Sequence, residues 1–145
     1  IWFEQQINEI RKHTTRPIQV RPHPRNPVSI NLNKYKNVSI TSPVMDSNTI
    51  DDTNFKDTLN NVWAVVNHSS NPAIEAVING IPVFVSEDSL CHDVGNHTLA
   101  NINNPNMPDR QEWANKLSYT EWFEDEIEKG LPWERIKNRI VKNYL

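Results

Sequence analysis

The sequence predicts an α/β fold: a parallel sheet with flanking helices and a helical C-terminal tail, in a single domain spanning residues 1–145. Three observations carry that expectation. The apolar run Val62–Val66 has the composition of a strand buried on both faces of a parallel sheet. A helix signature opens at Pro72, which suits the first helical position, and closes at Gly80, where a left-handed cap is expected. A second apolar run, Ile81–Val85, follows at once. Strand, loop, helix, glycine and strand within about two dozen residues make a right-handed crossover unit, and the implied sheet is Rossmann-like.

The remaining elements follow in chain order. Phe3, Ile7 and Ile10 recur at helical spacing, so Trp2–His13 reads as an amphipathic helix stopped by Thr14, Thr15 and Pro17. Ile18–Val20 alternates like a short strand, and Pro22 and Pro24 prevent its continuation as a helix. Val38–Ile40 is a second short strand, and Asp52–Asn61 a short helix carrying Phe55 and Leu59. Between the apolar run and the Pro72 helix lies a polar turn, in which Ser70 or Asn71 can cap the helix. In the tail, Asp109–Leu117 is one helix. Ser118 and Glu121 have capping-box spacing and would open a helix from Glu121 to Lys129, ended by Gly130. Pro132 begins a last helix through Tyr144, with Trp133, Ile136, Ile140 and Val141 on one face.

Composition narrows the function. The chain has 145 residues, enough for one sizeable core, with 37% hydrophobic and 23% charged residues. A net charge of -3 offers no basic field to nucleic acid or an anionic membrane. No apolar run approaches the roughly 18 to 20 residues of a membrane span. One cysteine, Cys91, makes no internal disulfide, which points to a reducing, cytoplasmic compartment. Three glycines form neither a Walker loop nor a GxGxxG fingerprint. The first residue is Ile1 rather than Met, as in a fragment of a longer protein.

Two constellations could carry chemistry. The first is Arg21, His23 and Arg25, set among Pro22 and Pro24 directly after a strand. Ligands of open α/β sheets bind beyond the carboxyl ends of strands, and an imidazole flanked by guanidinium groups can donate to a phosphate. The same stretch also reads as a surface loop broken by its prolines. The second is His68, Ser69, Ser70 and Asn71, between the buried run and its helix, where outward N–H groups and small hydroxyls favour an anion. Capping accounts for one of these residues but not for all four. Glu75, one turn into the helix, can reach a ribose hydroxyl, pair with Arg21 or Arg25, or simply face solvent. Cys91, His92, Asp93 and His97 are zinc-binding types without zinc-binding spacing, and read better as a loop with one buried cysteine. The acidic run Glu121–Glu128 reads as a solvated helix face.

An HP dipeptide, His23-Pro24, after a strand, with the Ser69-Ser70 turn opening a helix further on, resembles the nucleotide-binding half of GT-B-type glycosyltransferases that use cytidine-activated donors. These include bacterial sialyltransferases, capsule-type Kdo transferases and the glycerophosphotransferases of teichoic acid synthesis. The block from Val65 to Val83 also resembles capsule polysaccharide synthesis proteins. The resemblance covers about half the chain, residues 16–85. It implies that His23 contacts the donor phosphate and assists departure of the nucleotide. It implies further that Ser69 and Ser70 bind the same phosphate, with Arg21 or Arg25 as the basic residue beside the HP dipeptide. Sialyltransferases carry a ribose-binding glutamate between the two blocks. Here the corresponding region, Ser39–Asp46, offers only Asp46 as a substitute, so uridine or guanosine donors remain open beside cytidine.

The resemblance thus implies the C-terminal half of a two-domain glycosyltransferase, acting in polysaccharide biosynthesis. It would move a sugar from a nucleotide-sugar to a glycan or other hydroxyl acceptor, with no metal or resident cofactor. The acceptor domain, which supplies the general base, would be a missing N-terminal partner, leaving this chain inactive alone. A nucleotide-sugar 2-epimerase-like enzyme and a non-catalytic α/β binding domain are the rival readings.

Overall fold

The computed structural model describes residues 2–23, 28–41 and 55–144. Arg25 and Asp46 lie outside the described residues, as does the first part of the expected helix Asp52–Asn61. The chain divides into two compact units, Ile1–Pro108 and Asp109–Leu145.

In the first unit, helix α1 (Trp2–His13) forms where the apolar spacing predicts it, and Ile7 and Ile10 are buried. These two residues serve different clusters. Ile7 joins Val20 and Ile30, whereas Ile10 joins Phe84 and Ile102. Strands β1 (Ile18–Val20) and β2 (Val38–Ile40) pair in parallel, Ile18 opposite Val38. Arg11 ties this arrangement together. Its guanidinium donates to the carbonyls of Arg16 at 2.7 Å and of Lys36 and Asn37 at 2.9 Å, joining the end of α1 to the start of both strands. Asn37 enters β2 at φ +54°, a left-handed conformation that asparagine tolerates better than most residues.

The short helix α2 spans Phe55–Thr58. Strand β3 (Val65–Val66), helix α3 (Pro72–Ile78) and strand β4 (Val83–Phe84) then form the expected strand–helix–strand unit, with β3 and β4 parallel and Val65 opposite Val83. Pro72 stands in the first turn of α3, and Gly80 ends it at φ +79°, as the sequence requires. Ala73, Ala76 and Val77 are its buried face.

Helices and short parallel strands in this order fit the α/β class. Among the described residues, however, the strands form two separate two-stranded sheets rather than one continuous parallel sheet. The run Val62–Val66 is the clearest departure. Only its last two residues form strand, and both are half-buried. Trp63 turns outward and is 44% exposed. Its indole N–H donates to the carbonyl of Ile102 at 2.6 Å, and the Arg16 guanidinium lies 4.0 Å above its ring. An indole that can satisfy its N–H and stack on a cation in this way need not enter the core.

The second unit is helical: α4 (Gln111–Ser118), α5 (Glu124–Glu128) and α6 (Leu131–Tyr144). Ser118 does not open a helix. Its hydroxyl donates back to Asn115, and that of Thr120 to Leu117, so both finish α4. The start of α5 lies further on, where the carboxylate of Glu126 accepts from the backbone N–H of Phe123 at 2.8 Å. Glu124, Asp125 and Glu128 face solvent, as a solvated acidic face should. Trp133, Ile136 and Ile140 on α6 are exposed as well. Among the described residues no helix is long and apolar enough to cross a membrane.

Candidate functional site

The parallel pairing of β3 and β4 continues past the ends of the strands. Asn67 donates its backbone N–H to Phe84 at 2.9 Å, and Ser86 donates its own to His68 at 3.0 Å. The hydroxyl of Ser86 adds a second bond to the same His68 carbonyl at 2.9 Å. The turn after β3 is thereby fixed to the residue that follows β4.

Inside that turn, Asn67 organises Ser70. The amide oxygen of Asn67 accepts from the Ser70 backbone N–H at 2.8 Å, and its amide nitrogen donates to the Ser70 hydroxyl at 2.9 Å. Neither Ser70 nor Asn71 caps α3 with its side chain. Asn71 already has helical angles, and the first turn is closed by backbone bonds from Ala73 to Ser70 and from Ile74 to Asn71. The helix start is thus tightened by i to i+3 bonds, which satisfy N–H groups that a cap would otherwise take.

A cleft of about 150 Å³ opens at the carboxyl ends of β3 and β4. Its apolar lining comes from Val66, Phe84 and Leu99, and α1 contributes Trp2 and Gln6. Asn67, His68, Ser86 and His97 supply polar groups. The ring of His68 meets the Trp2 indole edge-on, with centroids 6.1 Å apart, and its Nδ1 lies 3.1 Å from the Ser69 hydroxyl. His97 is held differently. It stacks on His92 at 4.0 Å with planes 6° apart, and its Nε2 lies 2.9 Å from the His92 carbonyl. A carbonyl only accepts, so Nε2 of His97 carries the proton. No carboxylate and no lysine or arginine lines the cleft among the described residues. An anion there would be met by imidazoles, hydroxyls and amides.

The expected residues are distributed as follows. His68 lines the cleft, while Ser69, Ser70 and Asn71 are exposed on the adjoining turn. Glu75 is half-buried on α3, and its backbone carbonyl accepts from Asn79. Arg21 lies 5.4 Å from the centre of the Phe55 ring, and His23 is exposed on the loop after β1. Neither lines the cleft.

Trp2, Gln6, Ser86, Asn96 and His97 join His68 without having been singled out together by the sequence. Asn96 is the buried hinge of this region. Its amide nitrogen donates to the carbonyls of Val83 at 3.2 Å and Asn106 at 3.0 Å, and its oxygen accepts from the Asn106 N–H at 2.7 Å. Cys91 is fully buried, as the loop reading expects, and burial pushes its thiol up to about 11 despite a hydrogen bond with Ser89. Among the described residues no three His, Cys, Asp or Glu side chains group as metal ligands.

Compared with protein-family models, with curated proteins and with solved structures, the chain matches none.

Proposed function

We propose that the chain is the Rossmann-like, nucleotide-binding half of a two-domain glycosyltransferase of the GT-B type. It would transfer a sugar from a nucleotide-activated donor to an acceptor hydroxyl. The observation that carries this reading is the cleft at the carboxyl ends of β3 and β4, beside the doubly bonded His68–Ser86 contact. Parallel strands joined by a helix leave their ligand site at that end of the sheet, where side chains of the following loops converge.

In this reading His68 and the Ser69 hydroxyl meet the donor phosphate, with His97 on the same cleft. Ser70, engaged by Asn67, braces the turn rather than spending its hydroxyl on the ligand. The role the resemblance gives His23, assisting departure of the nucleotide, would require the loop after β1 to approach the cleft, which His23 does not line. In the transfer, the bond from the anomeric carbon to the phosphate oxygen breaks and a bond to the acceptor oxygen forms. The acceptor proton must go to a base within about 2.6–3.2 Å of that oxygen. The resemblance assigns that base to the acceptor domain, and no carboxylate lines the cleft among the described residues. The purified chain should bind nucleotide and turn over nothing.

A thermal-shift panel of CMP, CDP, UDP and GDP tests the reading, because a bound ligand raises stability with the logarithm of its concentration over Kd. At least one nucleotide should raise the melting temperature at millimolar concentration. A flat response to all four overturns it.

A further inference from the structure

An anion in the cleft finds one kind of side chain able to carry positive charge. Among the described residues, the lining holds two titratable side chains, His68 and His97, set among apolar groups, amides and the Ser86 hydroxyl. The charged groups of the surrounding elements stay outside it. On α1, Arg11 is spent on backbone carbonyls, Glu9 is bonded to Lys12 and His13, and none of these lines the cleft, nor does Glu4. Glu75 on α3 does not line it, nor do Glu87, Asp88 and Asp93, which are exposed on the segment after β4.

Each of the two imidazoles can take a proton without giving up a contact. Nε2 of His97 already donates to the His92 carbonyl at 2.9 Å, so a proton at Nδ1 adds a second donor and leaves that bond in place. A charged donor also bonds a carbonyl more strongly than a neutral one. His92 faces His97 as its stacking partner, with ring centres 4.0 Å apart, and two positive rings there would repel. A proton on Nδ1 of His92 would be a buried donor without an acceptor, so the charge of the pair belongs on His97. Nδ1 of His68 lies 3.1 Å from the Ser69 hydroxyl, which both donates and accepts and so suits either state of the ring. Histidine is the side chain whose charge ordinarily changes between about pH 5 and 8.

We propose that the cleft binds its anionic ligand together with protons taken up by His97 and His68, so that affinity falls as the pH rises. The proposal rests on the nucleotide-binding reading and adds its regulation. A fixed lysine or arginine in the lining would hold the same ligand evenly across this range.

The test is calorimetric titration of the full chain with UDP-glucose, GDP-mannose and CMP-sialic acid between about pH 6 and 8.5, at constant salt. These are phosphate diesters and keep a constant charge there, unlike a nucleoside monophosphate, whose terminal phosphate titrates near about pH 6. Affinity for at least one of them should fall about tenfold or more from pH 6.5 to 8.5, with about tenfold per pH unit as the limit for each proton taken up. Heats in two buffers of different ionisation enthalpy should show proton uptake at pH 7.5. His97→Gln and His68→Gln should each flatten the fall, while His23→Gln, outside the cleft, should keep it. Should His97→Gln fail to fold, His68→Gln and the proton count in the natural chain decide. Binding with an even pH profile and no proton uptake overturns the inference and leaves nucleotide binding intact. So does a fall that survives in both cleft variants or disappears in His23→Gln. If none of the three ligands binds at any pH, both fall.

Discussion

Ser86 holds the carbonyl of His68 with two hydrogen bonds, one from its backbone N–H at 3.0 Å and one from its hydroxyl at 2.9 Å. The residue after β3 and the residue after β4 are thus locked together where the cleft opens. The imidazole of His68 is positioned by backbone geometry, with the Trp2 edge and the Ser69 hydroxyl beside it.

Asn96 supports that lock from the other side of β4, where it forms a parallel bridge with Phe84. Asn96→Ala removes three side-chain hydrogen bonds made by a buried amide, two of them to the backbone of the exposed Asn106. Urea unfolding should show a loss of about 1–3 kcal/mol, since an ordinary hydrogen bond contributes about 0.5–1.5 kcal/mol net. A loss below about 0.5 kcal/mol, the range of ordinary surface substitutions, would mean that the segment around Asn106 is held by something else.

Gly95 tolerates no side chain, for reasons of space. A Cβ there would lie 2.6 Å from a methyl of Val85 and 2.9 Å from the backbone oxygen of Cys91. The methyl can yield, but the carbonyl belongs to the backbone. Gly95→Ala should destabilise the chain by about 1–3 kcal/mol, the usual cost of overpacking. Denaturant midpoints measure this directly, and an unchanged midpoint would contradict the packing.

Cys91 gives a prediction about pH. Its folded-state thiol is raised by burial from the usual 9.0 to about 11, so the folded chain keeps a proton that the unfolded chain releases in that interval. Stability therefore contains a contribution that is complete below pH 9 and is lost as the pH rises towards 11. Cys91→Ala should flatten that decline in melts taken between pH 8.5 and 11. At pH 8 the native thiol should also resist a disulfide reagent that modifies it promptly in urea. Rapid native labelling would show that the loop opens.

Parts of this architecture were legible because they depend on near neighbours. Ile7 and Ile10 mark the buried side of α1, Pro72 and Gly80 bracket α3, and the triplets at Ile18 and Val38 became strands. What was not legible depends on partners distant in sequence. Trp63 reads as a core strand residue until the Ile102 carbonyl and the Arg16 guanidinium draw it outward. Ser70 has the composition of a helix cap, yet Asn67 takes its side chain. Ser118 and Glu121 have the spacing of a capping box, but α4 uses the serine hydroxyl at its own end. The cleft combines residues from α1, the β3 turn and the segment after β4, and no local pattern announces that Trp2 and His97 will meet His68 there.

In the proposed reading His68, just beyond the carboxyl end of β3, receives the phosphate of a nucleotide ligand. The most direct measurement is calorimetric titration of CMP and UDP into the natural chain and into His68→Ala, with melting curves of both. Losing a hydrogen bond to a charged group costs about 1.5–3 kcal/mol, so affinity should fall roughly ten- to hundredfold while the melting temperature scarcely moves. Equal affinity in the two proteins, or no binding heat in the natural chain at millimolar nucleotide, would contradict it.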